Sequence, residues 1–237
     1  MTELERVKTG INGLDELIEG GIPKGSAVLV SGGTGTCKTI FSMQFAYNGA
    51  LLYNEPALFV SIENNPKNVS WNVESFGWDI QKLMAAKKLS IYRLPIGSKR
   101  SFADQLNDQL ETITSMVTQL KATRLVIDST TALASLIGEP AAVRSLLFKF
   151  TDGLKELDCT TILTAETKSL KTEFSAFGVE EFVADAVIAL YFTPPNRSIF
   201  IRKMRGTNHS KTVHPFEITG AGITVKPKEQ VLWEAIK

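Results

Sequence analysis

The sequence predicts an α/β fold built on a mainly parallel, doubly wound sheet. Three observations lead there. Short β-rich runs alternate with longer amphipathic stretches, the runs are apolar almost without interruption, and a glycine-rich loop joins the first of them to a long helix-compatible segment. A strand that is apolar at every position has both faces covered, as in a parallel sheet with helices on either side. Ligands of such folds bind beyond the carboxyl ends of the strands, so function is expected in the loops that follow them.

Along the chain, strands are expected at 27–31 (AVLVS), 57–62 (ALFVSI), 89–92, 125–128, 160–164 and 186–192, each rich in Val, Ile, Leu or Phe. Helices are expected between them at 39–52, 66–76, 102–121 and 140–157. From Ser198 the pattern changes to SIFIRKM, HPFEIT and GITVKP, with Gly220 and Gly222 as turn signals, which reads as a C-terminal antiparallel extension. No repeat, low-complexity tract or linker divides the chain, so residues 1–237 are expected to form one domain.

At 43% hydrophobic and 22% charged residues, disorder, collagen and coiled coil are excluded. Lys and Arg number 26 against 25 Asp and Glu, so any polyanion site must be local. Cys37 and Cys159 sit in unrelated contexts, which points to a reducing compartment. The start MTELERVKTG is charged, and no apolar run approaches the ~20 residues of a membrane span. A cytoplasmic protein with no membrane partner is expected.

After AVLVS comes Gly32-Gly33-Thr34-Gly35-Thr36-Cys37-Lys38-Thr39, then IFSMQFAYNGA. Strand, glycine loop and helix stand in the order of a phosphate-binding loop. Gly33, Thr34, Gly35, Thr36, Cys37, Lys38, Thr39 and Ile40 are the expected nucleotide contacts. Backbone N–H groups converge on phosphate oxygens and Lys38 reaches the β and γ phosphates, while Thr39 offers a hydroxyl to Mg²⁺. Cys37 stands where the pattern G-x-x-x-x-G-K-[ST] has its second glycine. The helix N-terminus and Lys38 favour its thiolate, which would make it more reactive than Cys159, and the alternative is a small, packed and inert residue tolerated in place of glycine.

Hydrolysis needs a carboxylate for the metal and a group that orients water. The apolar strand at 125–128 ends in Asp128, the expected metal partner beside Thr39. LFVSIENNP delivers Glu63 to the same edge as the water-orienting base, with Asn64 and Asn65 as γ-phosphate donors.

Together these residues resemble the RecA superfamily, and specifically its KaiC-like and archaeal RadA-paralogue branch. Val7-Lys8-Thr9-Gly10-Ile11-Asn12-Gly13-Leu14-Asp15-Glu16 and Gly20-Gly21-Ile22-Pro23-Lys24-Gly25 resemble the segment before the phosphate loop of KaiC domains. Ser75-Phe76-Gly77-Trp78-Asp79, Gly178-Val179-Glu180-Glu181-Phe182-Val183, Lys203-Met204-Arg205-Gly206-Thr207-Asn208-His209 and His214-Pro215-Phe216 extend the likeness over most of the chain. The resemblance implies a RecA-like P-loop NTPase core, ATP and Mg²⁺ as ligands, and a homo-oligomer with nucleotide between subunits. It further implies that Lys203 and Arg205 act on a neighbour's phosphates, with Thr207 and His209 lining that side. The Glu-Glu pair of KaiC proteins is Glu63-Asn64 here, so one carboxylate is lost. Likeness to RadA paralogues implies an accessory ATPase of recombination and repair, with single-stranded DNA and a recombinase as partners. The alternative is a KaiC-like signalling or self-phosphorylating ATPase with protein partners and no nucleic acid.

Local charge bears on the DNA reading. No Asp or Glu occurs between Ala186 and Phe216, a stretch that holds Arg197, Arg202, Lys203, Arg205 and Lys211. Arg93, Lys99 and Arg100 follow one strand, and Lys168, Lys171, Phe174 and Phe177 follow TTILT. Basic residues interleaved with aromatics suit single strands, through phosphate neutralisation and base stacking.

Overall fold

A computed structural model of the chain describes residues 4–95, 102–137, 140–167, 175 and 180–235. Its centre is a nine-stranded sheet. The strands are β3 (Ala27–Gly32), β4 (Ala57–Ser61), β5 (Leu89–Arg93), β6 (Arg124–Asp128), β7 (Thr160–Glu166), β8 (Ala186–Thr193), β9 (Asn196–Met204), β10 (Val213–Thr219) and β11 (Gly222–Val225). They lie in the order β11-β10-β9-β8-β3-β7-β6-β4-β5, and the six from β8 to β5 are parallel. The last three are the expected antiparallel extension. A separate two-stranded ribbon pairs β1 (Arg6–Val7) with β2 (Ile22–Pro23).

Alternate residues of the parallel strands enter different cores, and most of them are apolar. Val28 and Val30 pack with Phe59, Val126 and Ile162 beneath α1 (Lys38–Leu52). Leu29 packs with Leu58, Val60, Leu125, Ile127 and Leu163 on the other face. There the cover comes from α4 (Phe102–Leu120), α5 (Thr130–Ile137) and α6 (Pro140–Lys155). The uninterrupted apolar runs are therefore the signature of two-sided burial.

Two helical expectations need correction. The segment 66–76 is not one helix. It forms α2 (Pro66–Trp71) and, after a turn, a short 3-10 segment, Glu74–Phe76, closed by Gly77 at φ 67°. Asp79 then caps α3 (Ile80–Ala85) by accepting the Lys82 N–H at 2.9 Å, and Trp78 stacks on Tyr47 of α1 with centroids 5.3 Å apart. The string Ser75–Asp79 is thus a left-handed stop, a core aromatic and a helix cap in succession. The second correction is α5, which was not expected. Ser129 caps it, its Oγ accepting the Ala132 N–H at 3.3 Å. The last helix, α7 (Glu180–Val183), leads into β8.

Arg124 is fully buried where β6 begins. It pairs with Glu55 at 2.6 Å, donates to the carbonyls of Phe45 and Lys8, and lies over the Phe45 ring. These partners join α1 and the N-terminal segment to the sheet at the edge remote from the glycine loop.

Candidate functional site

The site forms where β3, β4, β6 and β7 end. A cavity of about 420 Å³ is lined by Thr34, Gly35, Cys37, Lys38, Thr39, Ile40, Glu63, Asn64, Asn72, Asp128, Ser129 and Glu166. The structure therefore gathers residues of the glycine loop with Glu63, Asn64 and Asp128. Thr36 is buried and braces the loop instead, its hydroxyl donating to the Gly33 carbonyl at 2.8 Å.

Lys38 curls over its own loop, donating to the carbonyls of Gly32 and Gly33 at 2.9 and 3.0 Å. Burial pushes its pKa down, while Glu166, Asp128 and Glu63 pull it up. A lysine held over peptide carbonyls in a partly desolvated cavity is set to take a polyanion. Beside it, Thr39 donates to one carboxylate oxygen of Asp128 at 2.9 Å, and Thr164 donates to the other at 2.5 Å. The hydroxyl and carboxylate that a P-loop Mg²⁺ requires are adjacent and oriented, so the donor set fits that ion. Asp128 does not cap α5, a role that falls to Ser129.

Cys37 is the first residue before α1 and adopts φ 71°, ψ 30°. This left-handed conformation costs a residue with a Cβ about 1–2 kcal/mol, which is why glycine is the usual occupant. Burial opposes the thiolate form of Cys37, raising its pKa and outweighing Arg197 and Lys38, which lower it. Cys159 is more deeply buried and pushed up to about 11. Cys37→Gly is expected to retain ATP turnover and to gain about 1 kcal/mol of stability in thermal denaturation. A lower melting temperature would show that thiol packing outweighs backbone strain.

Some contributors were not read from the sequence. Glu166 ends β7 in register with Gly32, and its N–H donates to Thr131 Oγ1 at 2.8 Å. The signal was available, since TTILTAE is an apolar strand ending in a carboxylate, as with Asp128. The β8–β9 hairpin also braces the loop. Arg197 Nε donates to the Gly35 carbonyl at 3.4 Å, and its guanidinium lies 4.3 Å from the centroid of Phe192, which packs on Gly35. Asn65, by contrast, is occupied as the cap of α2, accepting the Lys67 N–H at 3.0 Å, and does not line the cavity.

Lys203, Arg205, Thr207 and His209 are not brought to this cavity. Met204 pairs with Ala186, the first residue of β8, so they lie at the edge where the parallel strands begin. Lys203 Nζ donates to the Ala184 carbonyl at 2.8 Å, and Arg205 Nη1 lies 3.1 Å from Asp185 Oδ1. Arg6 donates to Thr207 Oγ1 at 2.9 Å and to the Gly206 carbonyl, while Glu19 accepts from both Arg6 and the Asn208 N–H. His209 Nδ1 contacts the Ser210 carbonyl at 2.8 Å. Of the residues expected to bind DNA, Arg93 is exposed at the end of edge strand β5. Lys99, Arg100, Lys168, Lys171, Phe174 and Phe177 lie outside the described residues.

A parallel sheet whose central strand opens into a lysine-bearing glycine loop, with a hydroxyl and a carboxylate set for a metal, defines a RecA-like ATPase domain. Residues 7–230 match the family described as "ATPase: KaiC", and the chain belongs to that family. It is 39% identical to a UPF0273 protein of Thermotoga maritima, the alignment covering 95% of this chain and 98% of that one. It is also 39% identical to the circadian clock oscillator protein KaiC of Parathermosynechococcus lividus over 94% of this chain. It spans only 43% of that relative's length. The crystal structure of a KaiC-like protein from Pyrococcus horikoshii OT3 superposes with a TM-score of 0.85 at 41% identity, covering 95% of this chain and all of that one. Among the described residues no helix is long and apolar enough to cross a membrane.

Proposed function

We propose that the chain is a Mg²⁺-dependent ATP hydrolase that works as a homo-oligomer, each nucleotide lying between the glycine loop of one subunit and the cations of the next. One observation carries this reading: Lys38, Thr39 and Asp128 stand at one edge of the sheet, and Lys203 and Arg205 at the other. Within one subunit the two sets cannot meet on a triphosphate, whereas head-to-tail neighbours can bring them together.

On this reading the loop amides and Lys38 hold the β and γ phosphates. Glu63 orients a water for in-line attack on the γ-phosphorus and takes its proton, as the bond to the ADP oxygen breaks. Bound Mg²⁺ supplies charge neutralisation on the phosphates. Lys203 and Arg205 of the neighbour stabilise the charge on the departing and transferred groups, with Thr207 and His209 beside them.

Mixing two inactive variants tests the arrangement. Arg205→Ala lacks a finger and Lys38→Ala lacks a functional loop, yet a mixed oligomer contains interfaces with both intact. ATPase activity is expected to return in part. No return in oligomers verified as mixed would place Arg205 outside the nucleotide site.

A second reading is favoured by the acid-free run from 186 to 216 and the exposed Arg93. There the ATPase is a RadA paralogue, binding single-stranded DNA beside a recombinase. Binding that weakens steeply with salt and stimulates hydrolysis would support it. Transfer of label from ATP to the protein, without DNA binding, would favour the signalling alternative.

A further inference from the structure

We propose that Asp185 is the positioning residue for Arg205, holding its guanidinium in the orientation that a neighbouring subunit's phosphates require. The inference rests on the reading of Arg205 as a group that acts in trans. Asp185 stands between α7 and β8, with its side chain 19% exposed. Its Oδ2 accepts the N–H of Ala27, the first residue of β3, at 3.0 Å, and its own N–H donates to the Ala27 carbonyl at 2.7 Å. The carboxylate is thereby locked to the strand that bears the glycine loop.

From that fixed point it grips Arg205 twice. Oδ1 accepts from Nη1 at 3.1 Å, and the Asp185 carbonyl accepts the Arg205 backbone N–H at 3.2 Å. Lys155 Nζ, 3.1 Å from Oδ2 and 3.2 Å from Oδ1, adds a second cation. The Arg205 side chain is nevertheless 68% exposed. A guanidinium has five N–H donors in a planar fork, so a single bond to Asp185 narrows the rotamers it samples and leaves the outer donors for phosphate. An exposed arginine without such a partner samples many rotamers, and ordering it only when the neighbour arrives would weaken each encounter.

The test exploits the division between subunits. Asp185→Asn keeps an oxygen for the Ala27 amide and removes the charge that holds Arg205. The rate per site is expected to fall roughly tenfold, the loss of one charge-assisted hydrogen bond. Nucleotide affinity in the variant's own loop should not change. The rate should recover when the variant is mixed with excess Lys38→Ala, whose fingers are intact. The double variant Asp185→Asn/Arg205→Ala should be no slower than Arg205→Ala alone. Recovery of Arg205→Ala but not of Asp185→Asn, or additive losses in the double variant, would overturn the proposal. Recovery of neither would overturn the trans reading beneath it. If Asp185→Asn does not fold, Asp185→Ser, with a hydroxyl facing the Ala27 amide, undergoes the same mixing and double-variant measurements.

Discussion

Lys38→Ala is expected to lower ATP turnover at least about a hundredfold while leaving the fold in place, the scale of removing one strong transition-state stabiliser. The two carbonyls that Lys38 bonds keep other donors without it, the Thr167 N–H on Gly32 at 3.3 Å and the Thr36 hydroxyl on Gly33 at 2.8 Å. Its loss touches neither apolar core. The melting temperature should therefore stay within a few degrees of wild type, roughly the scatter of surface substitutions. Turnover within a factor of a few of wild type would reject the phosphate-loop assignment.

Asp128→Asn and Glu63→Gln should separate metal binding from water activation. Both oxygens of Asp128 are engaged by hydroxyls, one of them on Thr39, the residue placed to meet the metal directly. The amide keeps the size and loses the charge. Mg²⁺-dependent nucleotide affinity is expected to weaken about tenfold to a hundredfold, as when a ligand's hydrogen-bonding partner is removed. A chelator should depress wild-type binding to the same level and have little further effect on the variant. Glu63 is exposed in the cavity and contributes basicity. Glu63→Gln should keep ATP affinity and lose about a hundredfold or more in rate. Equal affinities and rates in the two variants and wild type would show that neither carboxylate has its assigned role.

The central strands β3, β4, β6 and β8 were legible because they are buried on both faces and mostly apolar, a pattern that helices seldom match at that length. The loop and its two carboxylates were legible because strand ends are where an α/β sheet presents chemistry. Glu166 obeyed the same rule and was missed because β7 runs two residues past Thr164, the expected end of the strand. Arg124 was illegible for another reason. A charged residue opening a strand ordinarily reads as solvated, and its burial depends on Glu55 and two carbonyls distant in sequence. The α5 segment, STTALASLI, has paired β-branched residues and no charged face, so its periodicity gives little warning of a helix. Asn65 was read for its amide and not for its place before Pro66, where a cap was the better reading.

The placement of the phosphate loop and the arginine on opposite edges of one sheet makes the subunit directional, and an assembly of such subunits inherits that polarity. In the proposed head-to-tail arrangement, an open row of n copies has n − 1 complete catalytic centres, one terminal loop with no donor and one terminal arginine with no substrate. Only a row that closes on itself completes every centre. Specific activity should therefore climb with protein concentration as short rows lengthen, then level off at closure. A small excess of Arg205→Ala subunits should poison an assembly one centre at a time, each silencing the neighbour it serves.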